Sequence, residues 1–140
     1  MDRLDRLDSR QLALVLSRGR AVIGLSALLL PGLVNRAWFG QKATPHAKAL
    51  TRLLGVRDVV LGVGALTSVK EQTQGPEWLS MGAVADGVDA LVTLFLRDTP
   101  KRSRLLAAGA AGSAVVAIVL ARDLADQRAA VAGSTFETSA

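Results

Sequence analysis

The chain has no cysteine, no tyrosine and a single histidine in 140 residues. Without cysteine there is no disulfide framework, no thiolate zinc site and no thiol nucleophile. His46 has no cysteine or second histidine to join it, so no metal site and no cofactor are expected. No GxSxG element, no phosphate-binding P-loop and no GxGxxG in a strand–turn–helix setting is present. Gly62 and Gly64 lie inside an apolar run, where they read as packing residues. Charge is sparse at 21% and aromatics sparser at 4%, split between tryptophan and phenylalanine. No cleavable leader is expected, because the first residues mix aspartate with arginine and no small-x-small site follows the first apolar stretch.

What remains is apolar. Half the residues are hydrophobic, and mean hydropathy is +0.33, high for a soluble domain of this size. The formal net charge is +5. A basic balance suits nucleic acid, anionic lipid or the loops of a membrane protein. The KRSR run at 101–104 is short and has no interleaved aromatics. It reads as a lipid-headgroup anchor, and no nucleic-acid partner is expected.

Four apolar stretches, 12–34, 49–69, 78–96 and 105–121, have about the length a helix needs to cross a bilayer core. They are too long and too rich in Ala, Leu and Gly for strands. Ser9, Thr44-Pro45 and Gly75-Pro76-Glu77 read as helix starts, Pro100 as a breaker and Ser103 as a cap. The expectation is an all-α fold: one domain, a four-helix antiparallel transmembrane bundle. Its helices span approximately 10–34, 45–69, 76–97 and 103–122, and residues 123–140 form a flexible polar tail. Trp38 and Phe95 then mark one membrane interface and Trp78 the other. The Asp-Arg-Leu repeat at the N-terminus reads as an interfacial turn, an extension of helix one, or a solvated start. A soluble bundle is the alternative, but segment four, LLAAGAAGSAVVAIVLA, lacks the polar face such a helix needs.

The stretch RLLGVRDVVLGVGAL carries Arg52, Arg57 and Asp58 inside an apolar run. Arg52, Gly55, Asp58 and Gly62 recur at helical spacing, as do Gly82, Asp86, Asp89 and Thr93 in segment three and Arg20, Gly24, Ala27 and Pro31 in segment one. Arg20, Asp58, Asp86 and Asp89 fall near mid-segment, where antiparallel helices share one level. A charge facing lipid there costs about 2.5–3.5 kcal/mol on insertion scales. The economical solution is a buried network of Arg20, Arg52, Arg57, Asp58, Asp86 and Asp89 joining three helices. Gly55, Gly62 and Gly82 would let the backbones approach, and Gly109 and Gly112 would pack helix four within the bundle or against another copy. Such a network either fixes register or forms a polar site or proton path.

The R-x-x-G-x-R-D-x-x-x-G pattern from Arg52 to Gly62, followed by Asp86 and Asp89, resembles a family of small four-helix integral membrane proteins of actinobacteria, a domain of unknown function. The resemblance covers about residues 10–121 and implies an all-helical fold in the plasma membrane and no particular activity. The expected function is a non-enzymatic, multi-pass membrane protein, either an accessory subunit or a small transport or proton-linked element. Its partners are the lipid bilayer and a second copy or another membrane protein. A membrane enzyme using Asp86 and Asp89 as acid and base, and a soluble helical interaction module, are the alternatives.

Overall fold

The computed structural model describes the backbone of residues 2–40, 43–95 and 101–137, and side chains within 9–38, 43–95 and 104–132. The described residues form five helices and no strand: α1 Asp2–Leu29, α2 Pro31–Phe39, α3 Pro45–Glu71, α4 Gly75–Phe95 and α5 Lys101–Glu137. The expected first helix, 10–34, is therefore two helices. Proline lacks the N–H that would continue the ladder and its ring crowds the preceding turn. Pro31 thus closes α1 at Leu29 and starts α2, with Leu30, at φ −123° and ψ 48°, as the non-helical residue between them. Gly40, at φ +72°, ends α2 in the left-handed conformation that glycine adopts at no steric cost, and its N–H donates to the Arg36 carbonyl at 3.0 Å.

The start of α3 follows its sequence signal. The Thr44 hydroxyl accepts from the Ala47 N–H at 3.2 Å, and Pro45 occupies the first turn, where no intrahelical donor is needed. The α4 start at Gly75 with Glu77 in the first turn also follows it. Residues 96–100, including Pro100, and the side chains of Lys101, Arg102 and Ser103 lie outside the described residues, as do those of residues 1–8. The expected polar tail from 123 is instead helical to Glu137. Its physical reason is apolar contact: Leu124 packs against the cluster of Ala13, Ala65, Val69, Leu79, Leu120 and Ala121.

The long helices run antiparallel. Gly62 meets Ala21 while Gly55 meets Leu28, and Gly64 meets Trp78 while Arg57 meets Asp89. One end of the bundle therefore gathers the start of α1, the α3–α4 turn and the later part of α5. The opposite end gathers α2 and the end of α4.

Two features of the packing decide how the bundle relates to its surroundings. First, the interior is made of small residues: alanine occupies nine of the twelve buried apolar positions among the described residues. Second, the large apolar side chains face outward on every long helix. Val22, Leu53, Val84 and Val119 are 63%, 66%, 68% and 59% exposed. A soluble domain buries its Leu and Val and rarely exposes such continuous apolar surface. Here the polarity is reversed, with small and charged groups inside and large hydrophobes outside. Among the described residues, three stretches are long and apolar enough to cross a membrane: Ser9–Leu29, Gly75–Phe95 and Arg104–Ala132.

Candidate functional site

The α1–α3 contact is built on glycine. A Cβ on Gly24 would lie 2.6 Å from the Val59 nitrogen and 2.7 Å from the Gly55 oxygen. One on Gly55 would lie 2.7 Å from both the Gly24 oxygen and the Leu28 nitrogen, and one on Gly62 would lie 2.6 Å from the Ala21 nitrogen. These are backbone atoms that cannot swing aside, so only glycine permits this approach. The close approach brings Arg20, four residues before Gly24, against Asp58, three residues after Gly55.

Arg20 reaches from α1 to both other helices. Its Nη1 donates to Asp58 Oδ1 at 3.3 Å, and its Nη2 donates to Asp86 Oδ2 and to the Gly82 carbonyl, the latter at 3.3 Å. Gly82 leaves room for the guanidinium, since a Cβ there would meet it at 3.4 Å. Asp58 Oδ1 also accepts from Arg57, from Nε at 3.3 Å and Nη2 at 3.1 Å. Arg57 then forks onto Asp89, Nη1 to Oδ1 at 3.0 Å and Nη2 to Oδ2 at 2.6 Å, the two-pronged geometry that suits a guanidinium and a carboxylate. The result is one continuous chain, Asp86–Arg20–Asp58–Arg57–Asp89, linking α1, α3 and α4. It grades outward: the Asp86 and Arg20 side chains are 12% and 11% exposed, those of Arg57 and Asp89 31% and 37%.

Five of the six expected network residues are thus brought together. Arg52 is not, because it is exposed and bonds to none of the carboxylates. A three-residue step falls about 60° short of a full helical turn, so Arg52 sits about 120° from Asp58 around the α3 axis. Gly55, Gly62 and Gly82 act at contacts, as expected. Of the two roles expected for Gly109 and Gly112, packing within the bundle is not seen: a Cβ on either would meet nothing within 4 Å, and the α5 face that packs inward carries Ala107, Ala114, Ala117 and Ala121 instead.

Sequence reasoning missed a second polar contact. Asn35 on α2 donates from Nδ2 to Thr51 Oγ1 on α3, and also to the Pro31 carbonyl at 2.9 Å, while Thr51 donates to the Ala47 carbonyl at 2.8 Å. Both residues are buried. The available signal was an asparagine within a short helix between Pro31 and Gly40.

The space beside the ion chain is small. A cavity lined by Ser17, Arg20, Trp78 and Gly82 measures about 10 Å³, room for about one water. No group of three or more His, Cys, Asp or Glu side chains suited to a metal ion occurs among the described residues. The arrangement can therefore lock three helices together, and the cavity beside Arg20 holds little more than a water.

The chain matches no protein-family model, no curated protein and no solved structure.

Proposed function

We propose that this chain is a multi-pass plasma-membrane protein with four spans, α1, α3, α4 and α5, and that it serves as a non-enzymatic accessory subunit whose Arg–Asp chain fixes the register of the bundle. The observation that carries this reading is the reversed polarity, with Leu and Val outside and alanine, glycine and ion pairs inside. In α3 Arg57 and Asp58 turn toward α1 and α4, while Leu53, Val56, Val60 and Val63 face outward beyond the exposed Arg52. From Leu53 to Val63 its outer face is thus as apolar as those of the other three long helices. The pairing of Asp86 with Arg20 and of Asp89 with Arg57 favours a structural over an enzymatic use of the two acids. The likeness of the G-x-R-D and D-x-x-D elements to small actinobacterial membrane proteins points the same way.

One observation favours a second reading, a proton-linked element. The chain sets two guanidiniums against three carboxylates. A bilayer interior disfavours the excess negative charge, and uptake of one proton would balance it.

Alkaline carbonate extraction of membranes holding the tagged chain tests the first reading. Retention in the pellet is expected, and release to the supernatant overturns the membrane assignment. Infrared difference spectra test the second reading. A protonated-carboxyl band that disappears in Asp58→Asn or Asp89→Asn supports it, and the lack of any such band removes it.

A further inference from the structure

At the end of the bundle where α3 turns into α4, four helices enclose a groove of about 430 Å³. It is lined by Arg10 of α1, Gln72 beyond α3, and Gln127, Arg128, Leu124 and Val131 of α5, and no acid is among its lining residues. We propose that this groove binds the headgroup phosphate of an anionic phospholipid, an inference that rests on the membrane reading above.

Position is the first argument. The groove sits where the stretches Ser9–Leu29 and Gly75–Phe95 begin and Arg104–Ala132 ends. In a bilayer that is the level of the headgroups. Chemistry is the second. Arg10 donates from Nη2 to the Lys70 carbonyl at 2.9 Å, which pins it against the last turn of α3. Its Nε–H is buried and has no acceptor. Buried donors nearly always have a partner, so one left over marks a place where an acceptor belongs. Across the groove, Arg128 donates to Glu77 at 3.2 Å, with the two side chains 42% and 53% exposed. A pair that open holds its arginine weakly, and a phosphate oxygen can replace the carboxylate. Shape is the third argument. The volume lies in the range of small-molecule sites, and the Leu124–Val131 wall continues the apolar exterior of α5. A charged head with an apolar stem satisfies both parts of the groove, whereas a free anion satisfies only the arginines.

The test uses the full chain in detergent and native mass spectrometry with phosphatidylglycerol or phosphatidylcholine of matched acyl chains. Both lipids carry a phosphate, but choline adds a cation that the two arginines repel whereas glycerol is neutral, so retention of phosphatidylglycerol about tenfold tighter than phosphatidylcholine is expected. The Arg10→Gln/Arg128→Gln variant should lose that preference, and Arg52→Gln, which removes one charge outside the groove as Arg128→Gln alone removes one inside it, should keep it. Should the double variant not fold, Arg128→Gln alone, at an exposed pair, carries the same expectation of a reduced preference. Equal retention of the two lipids by the wild type overturns the proposal. So does a preference that survives loss of Arg128, or one that Arg52→Gln erases. Complete displacement by inorganic phosphate overturns the lipid in favour of a soluble anion. A chain that leaves the carbonate pellet refutes the membrane reading itself, whereas one that pellets but shows no lipid preference refutes only the groove.

Discussion

Arg20 should be the residue whose loss damages the bundle most, and the reason is a charge count. The wild-type chain of ion pairs holds two guanidiniums against three carboxylates. Arg20→Met leaves one against three. It strips Asp86 of its cation, frees the Gly82 carbonyl and leaves Asp58 to Arg57 alone. Removing one partner of a buried pair costs about 3–5 kcal/mol, because the other charge stays behind unpaired. For a domain of this length that is a fall in melting temperature of roughly 10 °C or more. Asp86→Asn acts in the opposite direction on the count, leaving two against two, and the amide oxygen can still accept from Arg20. Its cost should stay below about 1.5 kcal/mol, the low end for a hydrogen bond to a charged group. The double variant, Arg20→Met with Asp86→Asn, restores the wild-type excess of one carboxylate and removes the stranded charge. It should melt well above Arg20→Met alone, so a second substitution rescues the first. Because the chain lacks cysteine, thiol-reactive dyes cannot follow the transition. Tryptophan fluorescence can, since Trp78 shares the small cavity with Arg20. The reasoning is refuted if Arg20→Met melts with the wild type, or if the double variant melts no higher than Arg20→Met.

Three further outcomes are expected from the same melting assay. Gly55→Ala forces a methyl against backbone atoms of α1 and should cost at least about 1–3 kcal/mol, whereas Gly112→Ala meets open space and should be neutral or stabilising by up to about 1 kcal/mol. Asn35→Leu or Thr51→Val, each removing the bond between α2 and α3 while the remaining partner keeps its backbone acceptor, should cost about 0.5–1.5 kcal/mol singly, and the pair together should cost less than the sum. Leu124→Ala should cost about 2 kcal/mol; no change would mean that the extension of α5 beyond 122 adds nothing to the core.

The helical class, the antiparallel order and the mid-helix charges were legible because each has a local signature. Thr44-Pro45 announces α3, and Asp86 and Asp89 recur at helical spacing in an apolar run. The partition of charges among partners was less legible. Arg20, Arg52 and Arg57 are equivalent by composition, and only the α1–α3 glycine contact selects Arg20 to face Asp58. Arg52 misled because a three-residue step drifts around the helix, so membership of a face fades within a turn. As residues packing within the bundle, Gly109 and Gly112 misled for a related reason. On an alanine-rich helix such as α5 every face is small, so the small-x-x-x-small pattern marks no one side. The break at Pro31 has a plain proline signal, but an apolar run flowing through it hid the change of helix. The length of α5 had almost no signal, since polar residues after Ala121 read as an end unless Leu124 is known to meet Ala13 and Val69.

The ion chain and the reversed polarity are one feature seen from two sides. Taken alone, α3 is a poor candidate to cross a membrane, and it is not among the three stretches apolar enough to do so. Isolated in hydrocarbon, Arg57 and Asp58 would each face the cost of an intramembrane charge. Packed, they meet Arg20 from α1 and Asp89 from α4, and what remains on the outside of α3 between Leu53 and Val63 is Leu and Val, with Arg52 exposed just before them. The proposed fourth span therefore belongs to the assembled bundle rather than to the segment, and α3 depends on its neighbours in a way α4 and α5 do not. The glycines complete the argument. Gly24 and Gly55 hold two backbones close enough for a guanidinium on one to meet a carboxylate on the other. Widening that contact by a methyl group would separate Arg20 from Asp58 as well as α1 from α3. Packing and electrostatics in this bundle are thus coupled, and a substitution at Gly55 should weaken both at once.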